Sequence, residues 1–195
     1  MSKNHKSHLR GWKSYALGAT TVTALLASMG YEASAADGSG AGGSTKTVAT
    51  CTKSALAVSA VRQPEDGEVT RHLLITAKNV GDKACNLYRH PHIRLGADAQ
   101  APAPVIKDSD PDPGKPVTIA PGEKAYAALL VSGGARDEYE AKSITLSLQG
   151  DKPGSAASGP IDIPMPVDTL YADDGQLVTY WTTAPGFALR FIMAK

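Results

Sequence analysis

Residues 71–95 read RHLLITAKNVGDKACNLYRHPHIRL, and the alternation within them decides the fold. Leu73, Ile75 and Ala77 fall on one face of an extended chain, the period of two expected of a half-buried strand. Asn79 to Asp82 then supply a turn, and HIRL at 92–95 reads as a second, short strand. The same stretch sets Cys85, His90 and His92 within eight residues. It therefore poses a chemical question: a metal-binding or nucleophilic site, or only the point where a strand is stapled to its sheet.

The pattern continues on both sides. In TKSALAVSAV, Leu56, Val58 and Ala60 share one face while Ser59 takes the other. VTI runs into a turn at Pro121-Gly122, and KAYAALLV and SITLSLQ follow as further strands. Pro164 and Pro166 in IDIPMPV cannot donate ladder hydrogen bonds, which places that strand at a sheet edge. LYADDGQLVTYW predicts a hairpin at Asp174-Gly175, and FALRFIM a last strand. GDKPGSAASG, residues 150–159, reads as an exposed loop. No window keeps a 3.6-residue apolar period for three turns. Eight or nine short strands in about 150 residues predict an all-β fold, an antiparallel two-sheet sandwich of immunoglobulin-like type over residues 47–195.

What precedes the domain reads as export machinery. Lys3, Lys6, Arg10 and Lys13 stand in residues 1–13 with no acid, a mostly apolar run YALGATTVTALLASM follows, and Ala33-Ser34-Ala35 fits a signal-peptidase site. Residues 1–35 are expected to be a signal peptide cleaved after Ala35, and residues 36–46, ADGSGAGGSTK, a flexible spacer. The apolar run falls short of the roughly 20 residues that cross a bilayer, so no stable membrane span is expected after cleavage. A lipid anchor is disfavoured too, since no Cys stands at the cleavage point. The expected location is extracellular.

The whole chain has 20 basic and 19 acidic residues. The leader carries four of the former and one of the latter, so the mature protein has 16 against 18 and is weakly acidic. Scattered charges of that balance form no basic surface for phosphate backbones, which argues against nucleic-acid binding. Cys51 and Cys85 are the only cysteines. An even count in an oxidising compartment favours one disulfide.

Four pieces in order carry a resemblance: Cys51 opening the first strand, ITAKNVGDKACNLYRHP, VTIAPGEKAYAALLVS, and a C-terminal strand ending in Trp181. Together they resemble an actinobacterial secreted family known only as a domain of unknown function, of the 4232 type, in which a strand ending Asn-x-Gly is followed by Cys-x-Leu and a Pro. That pattern falls here on Asn79, Gly81, Cys85, Leu87 and Pro91, and the similarity covers most of residues 51–181. The resemblance implies an extracellular sandwich, Cys51 paired with Cys85, and no assigned activity. The family usually has a small residue where this chain has His90, which leaves a private role open for the His pair.

Three candidate sites stand against simpler readings. His90 and His92, two apart on a strand, point to one side and so can reach one copper or zinc ion, although a further ligand is needed and Cys85 is not available once oxidised. The simpler reading is two polar residues on a solvent face. DSDPDPG, residues 108–114, echoes the start of a calcium loop but has Pro113 where Gly is wanted and Ile119 where the bidentate Glu is wanted, so a solvated turn is expected. Tyr171, Tyr180, Trp181 and Phe187 offer an aromatic platform for a sugar ring or partner protein. Tyr180 and Trp181 are adjacent and must face opposite ways, and Trp181 packing against the disulfide is the favoured reading.

Neither a nucleophile with its base nor a metal-hydrolase or phosphate-loop motif appears. The expected function is a secreted non-enzymatic module that binds an extracellular protein or cell-wall glycan and needs no cofactor. Metal handling through His90 and His92 is the first alternative, and a hydrolase with a fold-assembled site is the second.

Overall fold

Alternating apolar residues turn a chain into a surface with one wet and one dry side, and two such surfaces close on each other to make the core. The computed structural model describes residues 47–195; the leader and spacer expectations lie outside the described residues. In chain order the strands are β1 (Ala49–Thr50), β2 (Leu56–Gln63), β3 (His72–Asn79), β4 (Cys85–Leu95), β5 (Val117–Ile119), β6 (Lys124–Leu130), β7 (Tyr139–Ala141), β8 (Ile144–Gln149), β9 (Ile161–Ile163), β10 (Leu170–Ala172) and β11 (Leu177–Val178), before a short helix α1 (Pro185–Leu189).

One sheet has the order β11-β6-β3-β2, antiparallel throughout. A second has the order β1-β4-β8-β9, with β5 also pairing with β4, and β10 and β7 form a separate two-stranded sheet. Leu73, Ile75 and Ala77 from β3 and Ala125, Ala127 and Leu129 from β6 are fully buried, against Leu87, Ile93, Ile119, Ile144 and Leu146 from the second sheet. Each large side chain in this core contributes roughly 1.5–3 kcal/mol on leaving water. The expected β-sandwich is the observed one, and β9, followed at once by Pro164, is an edge as expected.

Several elements differ from the sequence reading. FALRFIM is not a strand. Pro185 at the first helical position starts α1, and Ala188 and Ile192, four apart, pack on the outer-facing Ala128 and Leu130 of β6. A seven-residue run is too short to tell that spacing from alternation. Asp174-Gly175 does not close a hairpin either, because β10 pairs with β7 and β11 with β6. The cause is Asp173, whose carboxylate accepts hydrogen bonds from the Ser132 hydroxyl and the amides of Gly133, Gly134, Ala135 and Gly175. Those bonds tie the turn to the loop after β6 rather than to the neighbouring strand. β1 runs parallel to β4, against the all-antiparallel expectation. HIRL is only the end of an 11-residue strand.

The motif residues shared with the family have structural work. Asn79 is fully buried; its Nδ2 donates to the carbonyls of Lys83 (2.8 Å) and Ile119 (2.9 Å), and its Oδ1 accepts from the Gly81 amide (2.9 Å). A Cβ at Gly81 would stand 3.3 Å from that oxygen, which accounts for the glycine. Cys51 and Cys85 are joined in a disulfide.

Candidate functional site

Strands β4 and β8 stay paired until Leu95 meets Ile144. One more hydrogen bond, from the Gly96 amide to the Ser143 carbonyl (2.9 Å), closes the ladder. Gly96 then takes φ 84°, a left-handed conformation that suits glycine, and the two chains part. Residues 97–102 go one way, while Lys142 and β7 lie on the other, and a cavity of about 980 Å³ opens between them. That volume is at the upper end of the roughly 300–1,000 Å³ typical of small-ligand pockets.

The walls of this groove are apolar and its rim is acidic. Ala97, Ala99, Ala101 and Pro102 form one side and the Tyr139 ring lies on the other. Asp98, Glu140 and Asp174 stand around it, with Lys142 as the one cation in the lining. Lys142 lies 3.6 Å from Glu140, and among the described residues neither Asp98 nor Asp174 has a cationic partner. Gln176 donates from Nε2 to the Tyr139 hydroxyl (3.2 Å), whereas its Oε1 is buried and accepts nothing.

The two histidines do come together, with ring centroids 5.3 Å apart. The edge of Tyr180 meets His90 at 5.2 Å, and His90 Nδ1 is buried with no partner. Burial pushes the His90 pKa down to about 4, helped by His92 and Arg89. His92 is lowered by burial, then by Arg94 and Arg89. His72 is on β3, in the opposite sheet. Among the described residues no three His, Cys, Asp or Glu side chains gather as a metal cage would require.

The other sequence candidates part company. Tyr171 is 55% exposed on β10, Tyr180 is half-buried against His90, and Trp181 is 1% exposed within the core cluster that also contains Cys51 and Cys85. Trp181 thus contributes core, not platform. Phe187 stacks edge-on with Phe191, and Arg190 lies 4.1 Å over the Phe187 ring. Within 108–114 the Asp110 carboxylate accepts from the Asp112 amide and Asp112 pairs with Lys115 at 2.9 Å, the expected solvated turn.

Sequence reasoning missed the groove. Its apolar wall is the loop GADAQAPAP, which reads as a plain linker, and β7 is too short to show a period. The signal that was available is Gly96 immediately after an alternating run.

A family model described as Domain of unknown function (DUF4232) matches residues 51–182. That span contains the groove and the disulfide and stops before α1. Compared with curated proteins and with solved structures, the chain has no match.

Proposed function

We propose, starting from the chain's membership of the DUF4232 family, that this protein is a secreted, non-enzymatic binding module of immunoglobulin-like type, whose groove receives an extracellular protein or a cell-wall component. The observation that carries the reading is the open, apolar-walled groove of about 980 Å³ where β4 and β8 part. A disulfide between Cys51 and Cys85 is compatible with export, because such bonds persist in oxidising compartments.

Binding is favoured over catalysis by the lining itself. It contains Ser143 and three carboxylates but no His or Cys to activate a nucleophile. Metal handling at His90 and His92 is the weaker alternative, since a cation there faces Arg89 and Arg94 and finds two imidazoles only.

Ala99→Trp fills the groove from a loop position without touching the core. The full chain should be retained by insoluble cell wall or by immobilised secreted proteins, and Ala99→Trp should lose that retention while keeping the wild-type unfolding midpoint. Equal retention of both proteins would place the binding surface elsewhere.

A further inference from the structure

We infer that the occupant of the groove is an extended peptide segment bearing basic side chains, bound by strand addition in the fork where the β4–β8 ladder opens. This rests on the groove being the binding site and goes further by naming the chemistry of its partner.

The first support is the backbone. β7 pairs with β10 alone, and no residue of β10 lines the groove, so the groove lies beyond the edge of β7 that β10 leaves free. On the facing wall, between the bond made by the Gly96 amide and the one from the Ala103 amide to the Ile93 carbonyl, residues 97–102 make no backbone–backbone hydrogen bond. One free strand edge, that of β7, and a stretch of chain that turns at 97–98 without backbone–backbone bonds therefore flank one cleft. An extended peptide offers amides and carbonyls to both, which a rigid sugar ring does not.

The side chains choose the peptide. Ala97, Ala99 and Ala101 are small, so the wall admits a backbone at close range. Asp98 and Asp174, without cationic partners, put negative charge at the rim, which attracts Lys or Arg and repels acidic sequences.

The test uses the full chain, labelled for amide spectra, and four probes: a blocked octapeptide of alternating Lys with Val or Thr, its Glu-for-Lys counterpart, the Lys peptide N-methylated at every residue, and a chito-oligosaccharide tetramer. The Lys peptide should move the amides of 96–102 and 139–143. The Glu peptide should bind at least about tenfold more weakly, and the N-methylated peptide should not bind, since it cannot donate to a strand edge. Asp98→Asn with Asp174→Asn should weaken the Lys peptide about fivefold, as two rim charges are worth roughly 0.5 kcal/mol each.

If the tetramer shifts those amides and the peptides do not, the groove remains the binding site and the peptide inference falls. N-methylated and unmethylated peptides that bind alike, or Glu and Lys peptides that bind alike, overturn it as well. If no probe moves the groove amides, both the inference and the groove reading fail.

Discussion

The buried Asp173 and the half-buried His90 both weaken the native state in acid, over different pH windows. Asp173 is 2% exposed. Burial raises its carboxyl, but the Gly133 amide, the Ser132 hydroxyl and the amides of Gly175 and Ala135 outweigh that and hold it below the usual carboxylate value. The native state thus keeps this charge where the unfolded chain has begun to protonate. The stabilisation is complete above the ordinary Asp value and is lost only as pH falls through the lower, native one. His90 acts in the same direction at higher pH. Its native pKa is about 4 against 6.5 for the free side chain, so the unfolded chain takes up a proton first. Native stability therefore falls as pH drops from 6.5 towards 4 and levels off below that. Urea unfolding measured at half-unit intervals should show the decline, and His90→Phe, which keeps the edge contact with Tyr180, should flatten it. An unchanged slope in the variant would move the effect to another group. The window of Asp173 lies lower, so the two are separable.

Strand β4 owes its shape to one residue. Arg89 takes φ 54°, and the pairing with β8 slips between Tyr88 opposite Gln149 and His92 opposite Ser147, a β-bulge. A left-handed conformation costs about 1 kcal/mol or more for a residue with a side chain, so something must hold it. The guanidinium does so, donating to Gln149 Oε1 and to the carbonyls of Gly150, Asp151 and Lys152, while Gln149 Nε2 returns a bond to the His90 carbonyl. Removing that fork should free the 150–155 loop. Arg89→Ala is expected to cost about 2–3 kcal/mol and to raise amide exchange at Gly150 and Ser155, and Arg89→Lys should rescue little, because an ammonium cannot reach three carbonyls in one plane. Wild-type exchange in Arg89→Ala would show the loop to be held by its own turn. The sequence made β3, β6 and β8 legible because their alternation is long enough to see. It hid the bulge, since a register slip depends on the partner strand and RHPH looks like a simple two-apart pair. The imidazoles do meet, as that spacing predicted, but on a bulged strand whose Arg89 and Arg94 charges surround them.

At the scale of the molecule, β4 carries the staple at one end and the fork at the other. Cys85 opens the strand and Gly96 follows its last residue, so at most about 36 Å of extended chain separates the two. Beside Cys85 the chain is tied three ways, by the disulfide to Cys51, by the parallel pairing of Ala49 and Thr50, and by β5 on the other side. Between Gly96 and Ala103 the chain makes no backbone–backbone hydrogen bond. This division explains why the groove was the hardest feature to read. Cysteines, turns and alternating runs announce the tied end residue by residue, whereas the open end consists of contacts that are missing. It also makes the two ends thermodynamically distinct, since the disulfide acts chiefly on the unfolded chain. A bond between residues 34 apart removes loop entropy worth about 4 kcal/mol. Cys51→Ala with Cys85→Ala should therefore lower the unfolding free energy by about 4 kcal/mol in urea and steepen the transition, because the unlinked unfolded chain exposes more surface. In the folded fraction, the affinity of the groove for the Lys peptide should match the wild type, because no contact in the fork changes. A drop in affinity measured well below the unfolding midpoint would mean that strain at Cys85 reaches Gly96 along β4, and that the staple and the fork act as one unit.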